Sequence, residues 1–107
     1  MPDSPKQQRM KFQILFTPRA SDELRSFRKN EQRQIIEAIK MQLYYEPLSV
    51  TRNRKMLRLS DLAEWELRIG EFRVFYDADE TKQIVSIRAL GQKKGSRLLI
   101  NGKEFDL

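Results

Sequence analysis

The sequence predicts an α+β domain in which an N-terminal strand and a two-helix hairpin pack on an antiparallel sheet with a three-strand meander. Two observations carry this prediction. Apolar residues recur at helical spacing between residues 18 and 43, and they alternate with polar residues in short segments between residues 64 and 90. The chain has 107 residues, the size of one ordinary domain. We expect residues 1–10 to form a disordered lead-in and residues 11–107 to form a single domain.

The first predicted elements are a strand and a helix. Residues 12–16 form a short apolar run that is typical of a strand. Thr17 and Pro18 then signal a helix start, because Thr can cap the first turn and Pro is favoured at the first helical position. We expect this helix to end near Lys29. Its apolar stripe consists of Ala20, Leu24 and Phe27.

A second helix is predicted directly after the first. Asn30 is expected to cap it, with Glu31 in its first turn, and Pro47 stops it. Its apolar positions are Ile35, Ile36, Ile39 and Leu43. This stripe is predicted to lie in the core, because a domain of this size needs it there.

The remaining chain predicts strands. Residues 64–69, 72–76 and 83–90 read as three strands with short connections, which favours an antiparallel meander. Gly70 begins a tight turn between the first two. Residues 98–105 resemble a small hairpin around an Asn-Gly pair, the strongest short hairpin signal. Two helices are long enough to cover one face of this sheet, so the other face is left for solvent or a partner.

Alternation along the meander assigns side chains to that uncovered face. The first strand places Glu64, Glu66 and Arg68 there, opposite Trp65, Leu67 and Ile69. The second strand adds Arg73 and Phe75, and the third adds Ser86 and Arg88. The face therefore combines carboxylates with guanidinium groups.

Composition excludes several classes of protein. The chain contains no Cys and no His, so it has no disulfides, no Cys/His zinc site and no catalytic triad. No apolar run is long enough for a secretory signal or a membrane span, which predicts a cytoplasmic protein without a membrane partner. We expect no metal and no cofactor. The net charge of +6 suggests a polyanionic partner.

The basic charge is concentrated on both sides of the meander. Residues 47–59 carry four basic residues and no acidic one. A solvated loop is one interpretation of this segment, and a phosphate-binding element is the other. The candidate RNA-binding residues are Arg52, Arg54, Lys55, Arg58, Arg88, Lys94 and Arg97.

The uncovered face carries candidate chemistry for RNA cleavage without a metal. Glu64 or Glu66 is a candidate base for a 2′-hydroxyl. Arg68 and Arg73 are candidates to hold the phosphate in a bidentate manner, with Lys93 as an additional cation. The alternative is an exposed sheet face with cross-strand ion pairs worth ~0.2–1 kcal/mol each.

Three segments carry a family resemblance. TRNRKML at 51–57, WELRIGEFRVFYD at 65–77 and ALG at 89–91 resemble the RelE/ParE superfamily of type II toxin–antitoxin toxins. The resemblance implies a compact toxin that docks in the ribosomal A site, cleaves mRNA and is neutralised by a cognate antitoxin. It matches Arg73 to the phosphate-stabilising arginine, Arg68 to a frequently basic position, and Lys93 to the basic residue after the third strand.

The chain also departs from the RelE pattern. Glu64 and Glu66 stand where RelE-type nucleases have lysines, and residues 91–107 lack their C-terminal tyrosine. Related members such as YoeB pair a glutamate base with an arginine, which leaves a Glu66–Arg73 arrangement open. ParE-type members share the fold and poison DNA gyrase without nuclease chemistry. Two alternatives to the ribosome-dependent nuclease therefore stay open: a gyrase poison, and a non-catalytic module that binds RNA or an antitoxin.

Overall fold

The structure, a computed structural model, describes residues 10–58 and 60–106. The predicted lead-in therefore lies, apart from Met10, outside the described residues. The elements in chain order are β1 (Gln13–Phe16), α1 (Pro18–Arg25), α2 (Lys29–Leu43), β2 (Arg54–Met56), β3 (Trp65–Ile69), β4 (Phe72–Asp79), β5 (Ile84–Lys94), β6 (Arg97–Ile100) and β7 (Lys103–Glu104). This arrangement confirms the α+β architecture predicted from the sequence.

The sheet is built around β5. Strands β3, β4 and β5 form the predicted antiparallel meander, and β2 pairs with the outer edge of β3. The other edge of β5 is shared, because β1 pairs with residues 84–87 in parallel and β6 pairs with residues 92–94 antiparallel. The strand β5 is therefore longer than the predicted 83–90 segment. The sequence also gave no indication of β2, which lies inside the segment interpreted as a basic loop.

The first helix starts where the sequence predicts and ends earlier. The Oγ1 atom of Thr17 accepts a hydrogen bond from the Ala20 amide at 3.1 Å, and Pro18 is the first helical residue. The helix ends at Arg25 instead of near Lys29. Ser26 accounts for this end, because both its amide and its hydroxyl donate to the Glu23 carbonyl and tighten the last turn.

The second helix begins earlier than predicted. Arg28 occupies the N-cap position that the sequence assigned to Asn30. Its backbone amide donates to the Glu31 carboxylate at 3.0 Å, so a side chain of the first turn satisfies the amide of the N-cap residue. The predicted stripe is confirmed as core at Ile35, Ile39 and Leu43, while Ile36 is only partly buried.

A β-bulge interrupts the regular alternation of β5. Tyr76 pairs with Ile87 and Phe75 pairs with Ala89, so Arg88 is an extra residue with no partner position on β4. Ile87 packs in the core under the helices, and Ala89 packs on the opposite face. The bulge therefore explains why two residues of the same strand, two positions apart, enter different cores.

The face opposite the helices is covered by a second, smaller core. This corrects the prediction that the face is open and that Phe75 points to solvent. Phe75 is fully buried there. The second core consists of Leu62, Ala63, Phe75, Ala89, Leu98 and Ile100, with Leu57 and Phe105 packed against it. The connection before β3 and the β6–β7 hairpin supply most of this cover, because they fold over Phe75 of β4 and Ala89 of β5.

Neither helix among the described residues combines the length and the apolar character that a membrane span needs.

Candidate active site

A polar cleft remains beside the second core. It has a volume of about 230 Å³ and lies where β2, β3, β4 and the end of β5 meet the β6–β7 hairpin. The sheet register explains its composition. Lys55 pairs with Glu66, and Arg68 pairs with Arg73, so two neighbouring rows of the sheet present ionic side chains to the same face.

Glu66 is the centre of this cleft. Its side chain is only 5% exposed, and its Oε2 atom lies 3.2 Å from Nε of Arg68 and 3.4 Å from Nε of Arg73. A buried carboxylate needs such partners, because desolvation of an unpaired charge is costly. The arrangement therefore fixes both guanidinium groups around one carboxylate oxygen.

The guanidinium of Arg73 is held by backbone as well. Its NH1 atom donates to the carbonyls of Gly70 at 2.8 Å and Phe72 at 2.9 Å. Burial lowers the pKa of Arg73, the charge of Glu66 raises it, and the charge of Arg68 lowers it further. The turn between β3 and β4 thus adds a second support to Arg73, whereas the side chain of Arg68 is held by Glu66 and is half exposed.

The other walls of the cleft carry both signs of charge. Lys55 and Lys93 add cations, and Glu104 and Asp106 add carboxylates from the C-terminal segment. With Glu66, Arg68 and Arg73, the lining holds four cationic and three acidic side chains. Across the described residues, no cluster of acidic side chains is arranged to hold a metal ion. The cleft suits an anionic group such as a phosphodiester, provided that it reaches the guanidinium groups beside Glu66.

The four residues predicted from the sequence as catalytic all line this one cleft: Glu66, Arg68, Arg73 and Lys93. The second candidate base, Glu64, does not line it. Glu64 is exposed at the other end of β3, where its amide donates to the Asp77 carboxylate at 2.7 Å. The structure therefore separates the two glutamates that the sequence left as alternatives.

Arg54 has a different position from the one predicted. It was grouped with the RNA-binding residues, yet it is only 6% exposed. Its guanidinium donates to the carbonyls of Gln42 at 2.6 Å and Glu46 at 2.5 Å. These are carbonyls at the end of α2 and in the following loop, where backbone acceptors lack helical partners. Arg54 therefore stabilises the α2–β2 connection and is not available to a phosphate.

Arg88 also lies outside the cleft. Arg88 is the extra residue of the bulge, so it does not lie opposite any residue of β4. Its NH1 atom forms an ion pair with Asp77 at 2.6 Å. The predicted grouping of Arg88 with the cleft residues is therefore wrong, because the bulge shifts it along the strand.

The remaining predicted RNA-binding residues divide between two surfaces. Lys55 lines the cleft, and Arg52 and Arg58 are exposed near it in the chain. Lys94 lies on the opposite side of the sheet from Lys93, in a groove with Arg28 and Glu31 at the start of α2. Arg97 is exposed and pairs with Glu104 at 3.3 Å. Neighbouring residues on a strand face opposite ways, which explains the separation of the two lysines.

Sequence reasoning missed three contributors to the cleft. Ser96, Glu104 and Asp106 reach it only because the β6–β7 hairpin folds back over the sheet. The Asn-Gly pair predicted the hairpin and gave no information on its direction. Gly91 is the residue that permits this path. A Cβ atom there would lie 2.9 Å from the Leu99 carbonyl oxygen, closer than such atoms pack.

Two solved structures share this fold. The chain is similar to a chain of the toxin-antitoxin complex RelBE2 from Mycobacterium tuberculosis, with a TM-score of 0.69 and 24% identity over 78% of this chain and 93% of that one. It is also similar to a chain of the archaeal RelE-RelB complex from Pyrococcus horikoshii OT3, with a TM-score of 0.64 and 21% identity over 81% of this chain and 99% of that one. The protein therefore has the fold of RelE-type toxins.

The family follows from the sequence itself. A family model described as the ParE toxin of the type II toxin-antitoxin system, parDE, matches residues 14–95. This match covers most of the chain, and the protein belongs to the ParE toxin family of type II toxin–antitoxin systems. A comparison with curated proteins gave no match. The resemblance inferred from the sequence segments is thereby confirmed at the level of the RelE/ParE superfamily.

Proposed function

We propose that this toxin inhibits translation by cleaving mRNA on the ribosome, with the cleft around Glu66 as its active site. The observation that carries the proposal is the contact of one buried carboxylate with two guanidinium groups, at 3.2 and 3.4 Å. A phosphodiester bound by Arg68 and Arg73 lies directly beside a candidate base. A ribosomal target also places the action of the toxin in the cytoplasm.

The proposed reaction is an intramolecular transfer at phosphorus. Glu66 takes the proton of the 2′-hydroxyl, the 2′-oxygen forms a bond to phosphorus, and the bond from phosphorus to the 5′-oxygen breaks. Arg73 and Arg68 stabilise the charge that develops on the phosphate oxygens. Lys93 stabilises the leaving 5′-oxygen, which takes its proton from solvent. The products are a 2′,3′-cyclic phosphate and a 5′-hydroxyl end.

A translation extract programmed with a defined mRNA tests this proposal. Wild-type toxin should cut the mRNA only on ribosomes, and Arg73→Ala should lower the cleavage rate by about 100-fold or more. Glu66→Gln should lower it by about 100- to 10,000-fold, the range of a lost general base. Arg25→Ala, an exposed arginine on α1, is the matched control and should cleave like wild type. Full cleavage by Arg73→Ala contradicts the assigned site.

A gyrase poison is the second candidate, and the ParE family model favours it. The ion pairs of Glu66 are compatible with this alternative, since a carboxylate fixed between two guanidinium groups also serves as a purely structural element. Such a toxin leaves mRNA intact in the extract and blocks supercoiling by purified gyrase. Wild-type toxin and Arg73→Ala, each run in both assays, decide between the two candidates.

We also propose a cognate antitoxin as the partner of this chain. The two similar structures are toxin–antitoxin complexes. A second cavity of about 410 Å³ lies between β1 and α2, with apolar walls from Ile14, Phe16, Ile36 and Ile39. Among the residues that the structure describes, Lys11 and Lys40 also line it and no carboxylate does, which suits an apolar segment with acidic residues.

The adjacent reading frame supplies the test of this partner. Its product should restore growth when it is expressed with the toxin, and the two proteins should purify together. Ile36→Asp places a carboxylate in the groove and should weaken the complex at least tenfold. Glu37→Asp, on the same helix and exposed to solvent, should leave it unchanged. Equal binding by both variants contradicts the groove as the docking surface.

A further inference from the structure

Glu23 is a buried carboxylate that the proposed chemistry does not use. It lies on α1, outside the lining of the cleft, and is only 5% exposed. Its Oε2 atom accepts a hydrogen bond from Nε of Arg19 at 2.8 Å. Its Oε1 atom accepts a hydrogen bond from the Leu90 amide, also at 2.8 Å. A helix side chain that bonds the backbone of a central strand is unusual, because strand amides normally bond the neighbouring strand.

A gap along one edge of β5 explains why the Leu90 amide needs this partner. On this edge β1 pairs with β5 only as far as Ile87 and β6 pairs with it only from Gln92, so the segment between them, which includes the bulge at Arg88, has no neighbouring strand there. The start of α1 supports the same segment. The Thr17 amide donates to the Ile87 carbonyl at 3.0 Å, and the Thr17 hydroxyl lies 3.4 Å from the Arg88 carbonyl. Helix α1 thus supplies the hydrogen bonds that hold the bulged part of β5.

The bulge sets the register of everything that follows it on β5. Beyond it, Ala89 lies opposite Phe75, and Gly91 lies opposite Arg73. If β5 had no extra residue and the register of the Tyr76–Ile87 pair continued, Phe75 would pair with Arg88. Arg73 would then pair with Leu90. The guanidinium of Arg88 would enter the second core. The side chain of Leu90 would lie beside Arg73, where Gly91 has only a hydrogen atom.

We infer that Glu23 is a positioning residue for the cleft, which acts by fixing the bulged register of β5 beside Arg73. The expected effect on cleavage rate rests on the proposed function. The effect on the register of β5 does not, because the register is a property of the fold. Glu23 touches neither the cleft nor a bound phosphate. It acts through the Leu90 amide and the position of Gly91.

The experiment compares Glu23→Ala, Glu23→Gln and Leu24→Ala. Glu23→Ala removes the acceptor, whereas Glu23→Gln keeps an oxygen at that position. Leu24→Ala is the control, because Leu24 is the neighbouring residue of α1 and packs against the core without bonding β5. Hydrogen exchange of the Leu90 amide, measured relative to amides of β4, reports on the bond. The NMR signal of the Arg73 Nε–H group reports on the cleft.

Glu23→Ala should lower the relative protection of the Leu90 amide at least tenfold, shift the Arg73 signal, and lower mRNA cleavage at least tenfold. In Glu23→Gln, the Leu90 protection, the Arg73 signal and the cleavage rate should stay at their wild-type values. Leu24→Ala should lower global stability while leaving the relative protection and the Arg73 signal as in wild type. If Glu23→Ala does not fold, Glu23→Asp, which withdraws the oxygen by one methylene, should lose the protection instead.

Unchanged Leu90 protection together with an unchanged Arg73 signal in the folded Glu23 variant overturns the inference. So does an identical response of both reporters in Leu24→Ala. If wild-type toxin does not cleave mRNA at all, the proposed function fails, and the exchange and NMR measurements still decide the role of Glu23.

Discussion

Arg54 is the residue whose role differs most between sequence and structure. Within a segment of four basic residues, it was indistinguishable from Arg52, Lys55 and Arg58. Charge pattern identifies a basic segment, but only the three-dimensional structure identifies which guanidinium reaches the unpaired carbonyls at a helix end. Glu66, by contrast, could be placed beside Arg68 and Arg73 from strand alternation alone, because all of them lie on two adjacent strands.

Replacement of Arg54 should therefore destabilise the fold. Arg54→Ala removes hydrogen bonds from a charged donor to two carbonyls, each worth about 1.5–3 kcal/mol. We expect the free energy of unfolding, measured by urea denaturation, to fall by at least about 2 kcal/mol. Arg52→Ala, two positions earlier and exposed, should change it by less than about 0.5 kcal/mol. Equal stability of both variants contradicts the structural role of Arg54.

The buried hydroxyl of Tyr76 predicts that the free energy of unfolding depends on pH. Burial raises the pKa of its hydroxyl, opposed by the charge of Arg54, so the folded state keeps the proton where the unfolded state loses it. Above the ordinary pKa of about 10, unfolding releases this proton, and the free energy of unfolding falls by up to about 1.4 kcal/mol per pH unit. Below that pH, Tyr76 makes no pH-dependent contribution.

Urea unfolding of Tyr76→Phe at several pH values between 8 and 11 tests this dependence. At pH 8 the variant should be about 1 kcal/mol less stable, because it loses the bond from the Tyr76 hydroxyl to the Pro47 carbonyl. Above pH 10 its stability should fall less steeply than that of wild type. Tyr45→Phe, which replaces a half-exposed tyrosine, should keep the wild-type slope. A wild-type slope in Tyr76→Phe contradicts the assignment.

Among the elements, β5 was the hardest to predict. Its apolar alternation changes phase at the bulge, and a pattern of period two cannot distinguish a bulge from the end of a strand. The predicted strand stopped at Leu90, four residues short of the observed end, because residues 91–94 carry no apolar side chain. The small hairpin was predicted correctly, because Asn101 and Gly102 adopt the positive φ angles that an Asn-Gly turn requires.

The contact between β5 and β6 gives a prediction at Gly91. A methyl group at this position meets the Leu99 carbonyl oxygen at 2.9 Å and side-chain carbons of Ile100 and Leu98 at 3.0 and 3.2 Å. Gly91→Ala should displace β6 and lower the free energy of unfolding by about 1–3 kcal/mol. Hydrogen exchange of β6 amides should increase with it.

Ser86→Ala serves as the control for Gly91. Ser86 lies on the same strand, where it pairs with β1 and not with β6. Its replacement should leave the exchange of β6 amides at the wild-type rate. If Gly91→Ala also leaves β6 exchange unchanged, then the close approach of the two strands does not limit this position.

At the scale of the whole molecule, one sheet separates two cores. The larger core lies under the helices and the smaller one lies beneath the β6–β7 hairpin. The sequence predicted the first core from its periodic stripes. The second could not be predicted, because alternation within a strand does not show that the connection before β3 and the β6–β7 hairpin fold over β4 and β5. Because the second core covers much of the sheet face opposite the helices, only the cleft and its rim remain exposed there.

The distribution of charge over that rim predicts how nucleic acid binding responds to salt. For a single-stranded RNA, each lost phosphate contact should reduce the slope of log affinity against log salt by about 0.7. Arg52→Ala and Lys55→Ala should each show this reduction in a filter-binding series. Lys94→Ala, on the opposite side of the sheet, should keep the wild-type slope. Identical slopes in all variants indicate that the segment is only solvated.

The shared edge of β5 has a consequence for the time course of folding. The parallel pair joins Gln13 to Ile84, so β1 has no strand partner until the ribosome has also synthesised the start of β5. At about 5–20 residues per second this interval lasts several seconds, and such distant pairings also form slowly. Chains released before β5 is complete lack both the anchor of β1 and one wall of the cleft. Assembly of the cleft therefore has to wait for the synthesis of β5.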